Sequence, residues 1–179
     1  MRTLTLLATA LAPILSVCVL SGCMSTEIKT RKDSAYHEKL TRTAVYSTVQ
    51  ATMHDGFGAG FASAFESQLA AALIAHGVEV IVVAVDELVL DTRLYEQRIT
   101  EFAPRTVLSI SPISSTRDGY TGAITAVLFD VAIGPPDPFP PRVWRAAVEI
   151  RASTVVAPDK KGKKLADDLI AKLVEDGLL

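Results

Sequence analysis

Residues 55–65 of this 179-residue chain read DGFGAGFASAF. Glycines at alternate positions ahead of an apolar run are the residue type that lets a backbone close on a phosphate. A dinucleotide-binding loop needs glycines at its first, third and sixth positions, for the tight turn, the pyrophosphate approach and the helix–sheet contact. Counted from Gly56 the sixth position is Phe61, and counted from Gly58 it is Ser63. The acid required roughly 20 residues on would be Glu79, which falls inside the next strand-like run and not at its end. No Lys-Ser or Lys-Thr pair follows to complete a P-loop. The stretch reads as a tight entrance to a helix, with a bare anion site at the helix N-terminus as the remaining chemical option.

Other side chains able to do chemistry are equally unorganised. His54 and Asp55 precede the loop, but His37 and His76 stand far from them, without the H-E-x-x-H spacing that puts two ligands on one helix face. Ser109, Ser111, Ser114 and Ser115 share one strand-like run and its exit, and no G-x-S-x-G elbow surrounds any of them. Asp86, Glu87 and Asp91 suit the start of a helix, where the dipole favours negative charge, better than an acid/base pair. No catalytic residue, metal or cofactor is assigned. A small-ligand-binding or hydrolytic domain at the glycine loop or the serine strand stands as the alternative reading.

The strongest chemical signal is a cysteine. The chain opens MRTLTLLATALAPILSVCVLSGCMS: one cation at Arg2, an uncharged apolar stretch from Leu4 to Leu20, then small residues. That is the layout of a secretory signal peptide, and the run, interrupted by Pro13, is at the short limit for crossing a bilayer. Leu20-Ser21-Gly22-Cys23 closely resembles the lipobox of bacterial lipoproteins. The resemblance implies removal of residues 1–22 and acylation of Cys23. Three acyl chains would anchor the protein permanently, since one chain alone binds only marginally. Met24, where the enterobacterial sorting rule places Asp for inner-membrane retention, implies the outer membrane with the domain facing the periplasm.

Removing 22 of the 179 residues leaves 157, within the size of a single domain with a substantial core. Cys18 leaves with the leader and Cys23 is acylated, so the mature domain has no thiol for catalysis, thiolate ligation or a disulfide. Loss of Arg2 takes the 18 basic side chains to 17 against 20 acidic ones, a net charge of −3. Nucleic-acid binding, which needs a concentrated positive surface, is not indicated.

Three parts are expected: the leader 1–22, the lipidated cysteine with a polar tether over 23–42, and a periplasmic domain over 43–179. The tether sequence MSTEIKTRKDSAYHEKLTR has no sustained apolar period and would place its ends roughly 25 Å apart as a flexible chain. From Thr43 strand-like and helix-like runs alternate. Thr43–Gln50 reads as a strand. Phe57–His76 reads as a helix with Phe57, Phe61, Phe65, Leu69 and Leu73 inward and Gly77 at its close. Val78–Val85 is nearly continuous apolar, the pattern of a central strand covered on both faces. A second helix is expected over Leu88–Phe102, with Leu94, Tyr95, Ile99 and Phe102 inward and Pro104 as its stop.

Val107–Ser115 and Ala123–Ile133 flank the turn residues Arg117-Asp118-Gly119 and should pair as a hairpin. Val143–Ser153 alternates, with Trp144, Ala146, Val148 and Ile150 on one face and Arg145, Glu149 and Arg151 on the other. Lys160–Leu178 is an amphipathic helix with Leu165, Leu169, Leu173 and Val174 as its stripe. The fold class is α/β, a single mixed five-stranded sheet with packed helices in the order β-α-β-α-β-β-β-α. That order, with a helix ending in Gly-Val-Glu-Val and a last helix ending in Asp-Gly-Leu, resembles the periplasmic domains of the TolB N-terminal type, of the curli secretion lipoprotein and of the lipoprotein that activates penicillin-binding proteins. The resemblance implies a non-catalytic accessory, assembly or scaffolding factor that binds other envelope proteins, and oligomerisation is open.

Two surface features remain. GPPDPFPPR, residues 134–142, places five prolines and one aromatic between two strands. Proline fixes φ and removes donors, so the segment is stiff and extended. It is either a rigid connection or a preorganised protrusion offering Asp137, Pro138, Phe139, Pro140 and Arg142 to a partner at low entropic cost. Lys160, Lys161, Lys163 and Lys164 crowd the start of the last helix, where positive charge opposes the dipole. They are either solvated or turned to anionic headgroups or an acidic partner.

Overall fold

The computed structural model describes residues 24–52, 57, 60–85, 93–117, 124–135, 142–153 and 155–179. The leader, Cys23, Asp118-Gly119 and the proline run 136–141 lie outside the described residues.

The β-branched and aromatic TAVY run forms strand β2 (Arg42–Ser47), followed by one short turn of helix, α1 (Val49–Thr52), helix α2 (Phe61–Ala75) and strand β3 (Glu79–Ala84). Helix α3 (Arg93–Phe102) leads into β4 (Thr106–Arg117). β2 lies parallel to β3 on one side, in register Arg42↔Glu79 to Ser47↔Ala84, and parallel to β4 on the other, Thr43↔Thr106 to Ser47↔Ile110. These are the parallel pairings that crossover helices demand.

β4 then pairs antiparallel with β5 (Ile124–Gly134), as the flanking turn residues predict, with a register shift between Pro112 and Ser114. Proline cannot donate to a ladder, and a bulge beside it accommodates the lost bond. β6 (Trp144–Ser153) pairs antiparallel with β5, and its expected alternation is present: Trp144, Ala146, Val148 and Ile150 are buried while Arg145 and Arg151 are exposed.

The stretch expected to be a tether begins as a sixth strand. β1 (Met24–Lys32) runs antiparallel to β6 over its whole length, Met24↔Ala152 to Lys32↔Trp144. The sheet therefore has six strands, ordered β1-β6-β5-β4-β2-β3, and not five. Along the chain the order is β-β-α-α-β-α-β-β-β-α. Met24, Thr26, Ile28, Thr30 and Lys32 are half-buried and their neighbours exposed. Three of these five positions are Thr26, Thr30 and Lys32, too polar for the period of two to stand out by hydropathy, and it is the partner strand that holds it.

β3 is likewise an edge strand and not a central one, paired only with β2 among the described residues. Its apolar run is explained by packing: Val83 is buried, Val80 and Val82 lie against the core, and both α2 and α3 touch it. α3 is less buried than its pattern suggests. Leu94 is 64% exposed, while Tyr95, Ile99 and Phe102 are half-covered.

The core lies between the sheet and the pair α2 and α4 (Pro158–Glu175). Phe57, Phe61, Phe65, Leu69 and Leu73 are all buried, as are Leu165, Leu169 and Leu173, but Val174 turns outward. Gly162 is where the two helices meet: a Cβ there would sit 2.4 Å from the Phe61 carbonyl oxygen and 2.8 Å from the Phe65 amide nitrogen. Among the described residues no helix is long and apolar enough to cross a membrane.

Strand direction gives the sheet two distinct ends. Met24, Ser153, the last residues of β2 and β4 and the start of α4 share one. Lys32, Trp144, Gly134 and the close of α4 share the other, where the Leu40 amide donates to the Leu178 carbonyl. At about 3.3 Å per residue, the ten residues of β6 separate the ends by roughly 30 Å.

Candidate functional site

Of the residues expected to meet a partner, Arg142 is described; Asp137, Pro138, Phe139 and Pro140 lie outside the described residues, as does Cys23. Both ends of the proline segment are fastened. The Val143 amide donates to the Ile133 carbonyl at 2.8 Å, and the Asp33 amide donates to the Val143 carbonyl at 2.9 Å. The segment thus leaves and rejoins the sheet at the end remote from Met24.

Beside it, on the sheet face opposite α2 and α4, an open groove of about 790 Å³ runs over β1 and β6. Its charged lining is Lys29, Arg31, Lys32, Arg142 and Arg145 against Asp33 and Asp130. Strand register creates this concentration, since Arg31 stands directly opposite Arg145 on the neighbouring strand. Like charges so placed are destabilising, and the neighbouring strand relieves one of them. Arg145 donates from Nε and Nη2 to the two carboxylate oxygens of Asp130, at 2.6 and 3.0 Å. Lys29 pairs with Glu27 at 2.9 Å, and Lys32 Nζ donates to the carbonyl of Asp176 at 2.9 Å. Arg31 and Arg142 have no ion pair among the described residues. Two unpaired guanidiniums suit a carboxylate or phosphate partner, which each can bind in bidentate fashion.

The groove rests on a rigid base. The buried Trp144 indole donates to Asp176 Oδ2 at 2.7 Å, and Lys172 Nζ stands 3.4 Å from Oδ1. Burial, the largest single effect, opposes ionisation of Asp176. The hydrogen bonds from Trp144 and Thr30 and the charge of Lys172 together outweigh it and hold the carboxyl below its usual range. This contact locks the close of α4 to the starting end of β6.

The phenylalanines of the glycine stretch pack into the core. The rings of Phe57 and Phe61 lie 4.6 Å apart and all three phenylalanines are buried, while Gly60 enters α2 with φ of +92°. A left-handed φ favours glycine because it has no Cβ. Gly56, Gly58, His54 and Asp55 lie outside the described residues, and among the described residues no group of His, Cys, Asp and Glu is placed to hold a metal. Ser109 and Ser111 are half-buried on β4, and Ser114 is exposed beyond the bulge. Gly77 closes α2, as expected.

One buried polar pair had no signal strong enough to find it. The Ser47 hydroxyl at the end of β2 donates to Glu66 Oε1 at 2.7 Å, and both side chains are buried. Burial pushes the Glu66 carboxyl up, and the serine hydrogen bond offsets part of that. Its one trace in sequence is that Glu66 is the lone acid of a 15-residue apolar helix. A carboxyl and a hydroxyl without a third, orienting group do not make an activated nucleophile.

The lysine run divides. Lys161 is 3% exposed, with its ammonium 5.3 Å from the centre of the Phe57 ring, and burial pulls its pKa down. Lys160, Lys163 and Lys164 are exposed, and Lys164 bridges Asp168 at 2.7 Å.

No protein-family model matches this chain, and no curated protein matches it. Solved structures do. The PelC dodecamer from Paraburkholderia phytofirmans is 17% identical with a TM-score of 0.52, over 84% of this chain and 95% of that one. A single-substitution variant of that dodecamer is 14% identical with a TM-score of 0.54, over 83% and 98%. At these identities the likeness is one of fold: this chain is built on an arrangement of strands and helices similar to that of the PelC subunit.

Proposed function

We propose that this protein is an outer-membrane lipoprotein, anchored through acylated Cys23, that works without catalysis as an assembling and docking subunit of a cell-envelope complex. The observation that carries the reading is the position of β1. It begins at Met24, one residue after the cysteine of Leu20-Ser21-Gly22-Cys23. An anchor on Cys23 would leave no slack tether; it would stand the sheet on the bilayer and hold the opposite end roughly 30 Å out. That distal end carries the points where the proline segment leaves and rejoins the sheet, and the groove with Arg31 and Arg142, a basic surface suited to an acidic partner. Copies of the chain assemble with one another, a reading supported by the fold likeness to subunits of dodecamers and by the unpaired outer edges of β1 and β3 among the described residues. Such edges are templates for further pairing.

Crosslinking in intact cells followed by purification tests this. It should recover adducts between copies and a second, acidic envelope protein. Arg31→Glu with Arg142→Glu places like charge against that partner, at a cost of several kcal/mol and on the order of a 100-fold loss of affinity. Recovery of the partner should fall accordingly. Unchanged recovery from the double variant, or no adduct of either kind from the native protein, would refute the docking role.

A further inference from the structure

We infer that the anchored end of the domain carries its own membrane-contact surface, in which Lys160, Lys163 and Lys164 meet anionic lipid headgroups and Val155 enters the interface. The inference rests on the anchoring reading above for its direction, and on the structure for its residues. Met24 pairs with Ala152, so the point where Cys23 joins the fold lies beside the last residues of β6. From there the chain passes Val155, 84% exposed, and enters α4 at Pro158. The exposed apolar side chain and the three exposed lysines are thus gathered at the end of the sheet where the lipid attaches.

Distance and charge agree with this placement. At 1.5 Å per residue, Lys164 is only about 9 Å along α4 from Pro158, so all three ammonium groups lie within roughly one Debye length of the surface at physiological salt. Their placement at a helix N-terminus opposes the dipole; the first turn of α4 offers only Asp159 as an acid, and one turn beyond Lys164 the carboxylate of Asp168 bridges it at 2.7 Å. An anionic surface facing that end offsets the repulsion. Lys161, turned inward onto Phe57, takes no part. An upright domain with a headgroup contact beside its acyl chains has two points of attachment, which fixes tilt as well as position.

All described strands and helices lie within 24–179, so a chain beginning at Met24 keeps the whole sheet and lacks the lipid. That soluble chain is sedimented with vesicles of phosphatidylcholine alone or with a third phosphatidylglycerol. It should bind the anionic vesicles only, and release as salt rises. Each lysine near an anionic surface multiplies affinity by about fivefold. Lys160→Gln, Lys163→Gln and Lys164→Gln together should weaken binding by up to roughly 100-fold, and Val155→Ser severalfold, with unchanged circular dichroism. Equal binding to both vesicle types, no binding to either, or binding indifferent to the lysine changes would overturn the inference. The anchoring reading fails separately: the full-length Cys23→Ser chain would then still be processed and fractionate with the outer membrane.

Discussion

Glu66 is where a single residue has the clearest measurable consequence. Its carboxyl is buried under α2 with Ser47 as hydrogen-bond donor, and burial raises its pKa above the ordinary 4.5. A group whose folded pKa lies above its unfolded one contributes fully below the unfolded value, and that contribution is lost as pH rises through the folded one. Native stability should therefore decline from pH 4.5 upward on account of this group, and Glu66→Gln should remove the decline. About 1 kcal/mol moves the Tm of a chain this size by roughly 3 °C, so the variant should gain a few degrees at pH 8 and nothing at pH 4. A variant less stable than native at pH 8, by scanning calorimetry, would show that the charged carboxylate is needed. The phenylalanine stripe around Glu66 was legible in the sequence because a four-residue step names a helix face. The partner was not, because Ser47 lies 19 residues away and meets Glu66 only once β2 and α2 are packed.

At the scale of elements, α2 and α4 are held at the distance a glycine permits. Alanine at position 162 would raise helix propensity by about 1 kcal/mol, yet its Cβ would collide with backbone atoms of Phe61 and Phe65, which cannot rotate away as a side chain would. Overpacking of this kind costs about 1–3 kcal/mol. Gly162→Ala should therefore be net destabilising or neutral in urea unfolding, against the sign that propensity alone gives. A stabilised variant would mean that the helices are free to move apart. Most elements were legible: the hairpin of β4 and β5, the alternation of β6 and the two long helices follow from turn residues and periodicity. β1 was not, because three of its five inward residues, Thr26, Thr30 and Lys32, are polar and only Met24 and Ile28 are apolar. β3 read as central because its run is nearly all apolar; α2 and α3 pack on this edge strand, yet only Val83 of its six residues is fully buried.

For the whole molecule, the six-stranded sheet converts two isolated sequence features into an orientation. The lipobox-like stretch and the proline run are more than 100 residues apart in sequence, and neither says where the other lies. Pairing of β1 with β6 puts Met24, which follows the first, and Gly134 and Arg142, which flank the second, at opposite ends of one strand pair, with the lysines of α4 at the former end and Arg31 and Arg145 at the latter. The groove was legible only as Arg142 and its neighbouring loop, since its remaining lining comes from a stretch that reads as tether and from strand residues that meet only once β1, β4, β5 and β6 pair.

The account's central claim is this upright orientation, and depth measurement tests it most directly. If Cys18 is removed and Cys23 acylated, no other thiol remains, so a Val155→Cys or Arg142→Cys chain carries one labelling site. The lipidated protein is reconstituted into vesicles and each label is probed with quenchers attached to lipid headgroups. A label at position 155 should be strongly quenched and one at position 142, roughly 30 Å further out, should be left nearly untouched. Equal quenching at both positions, or stronger quenching at 142, would contradict the account.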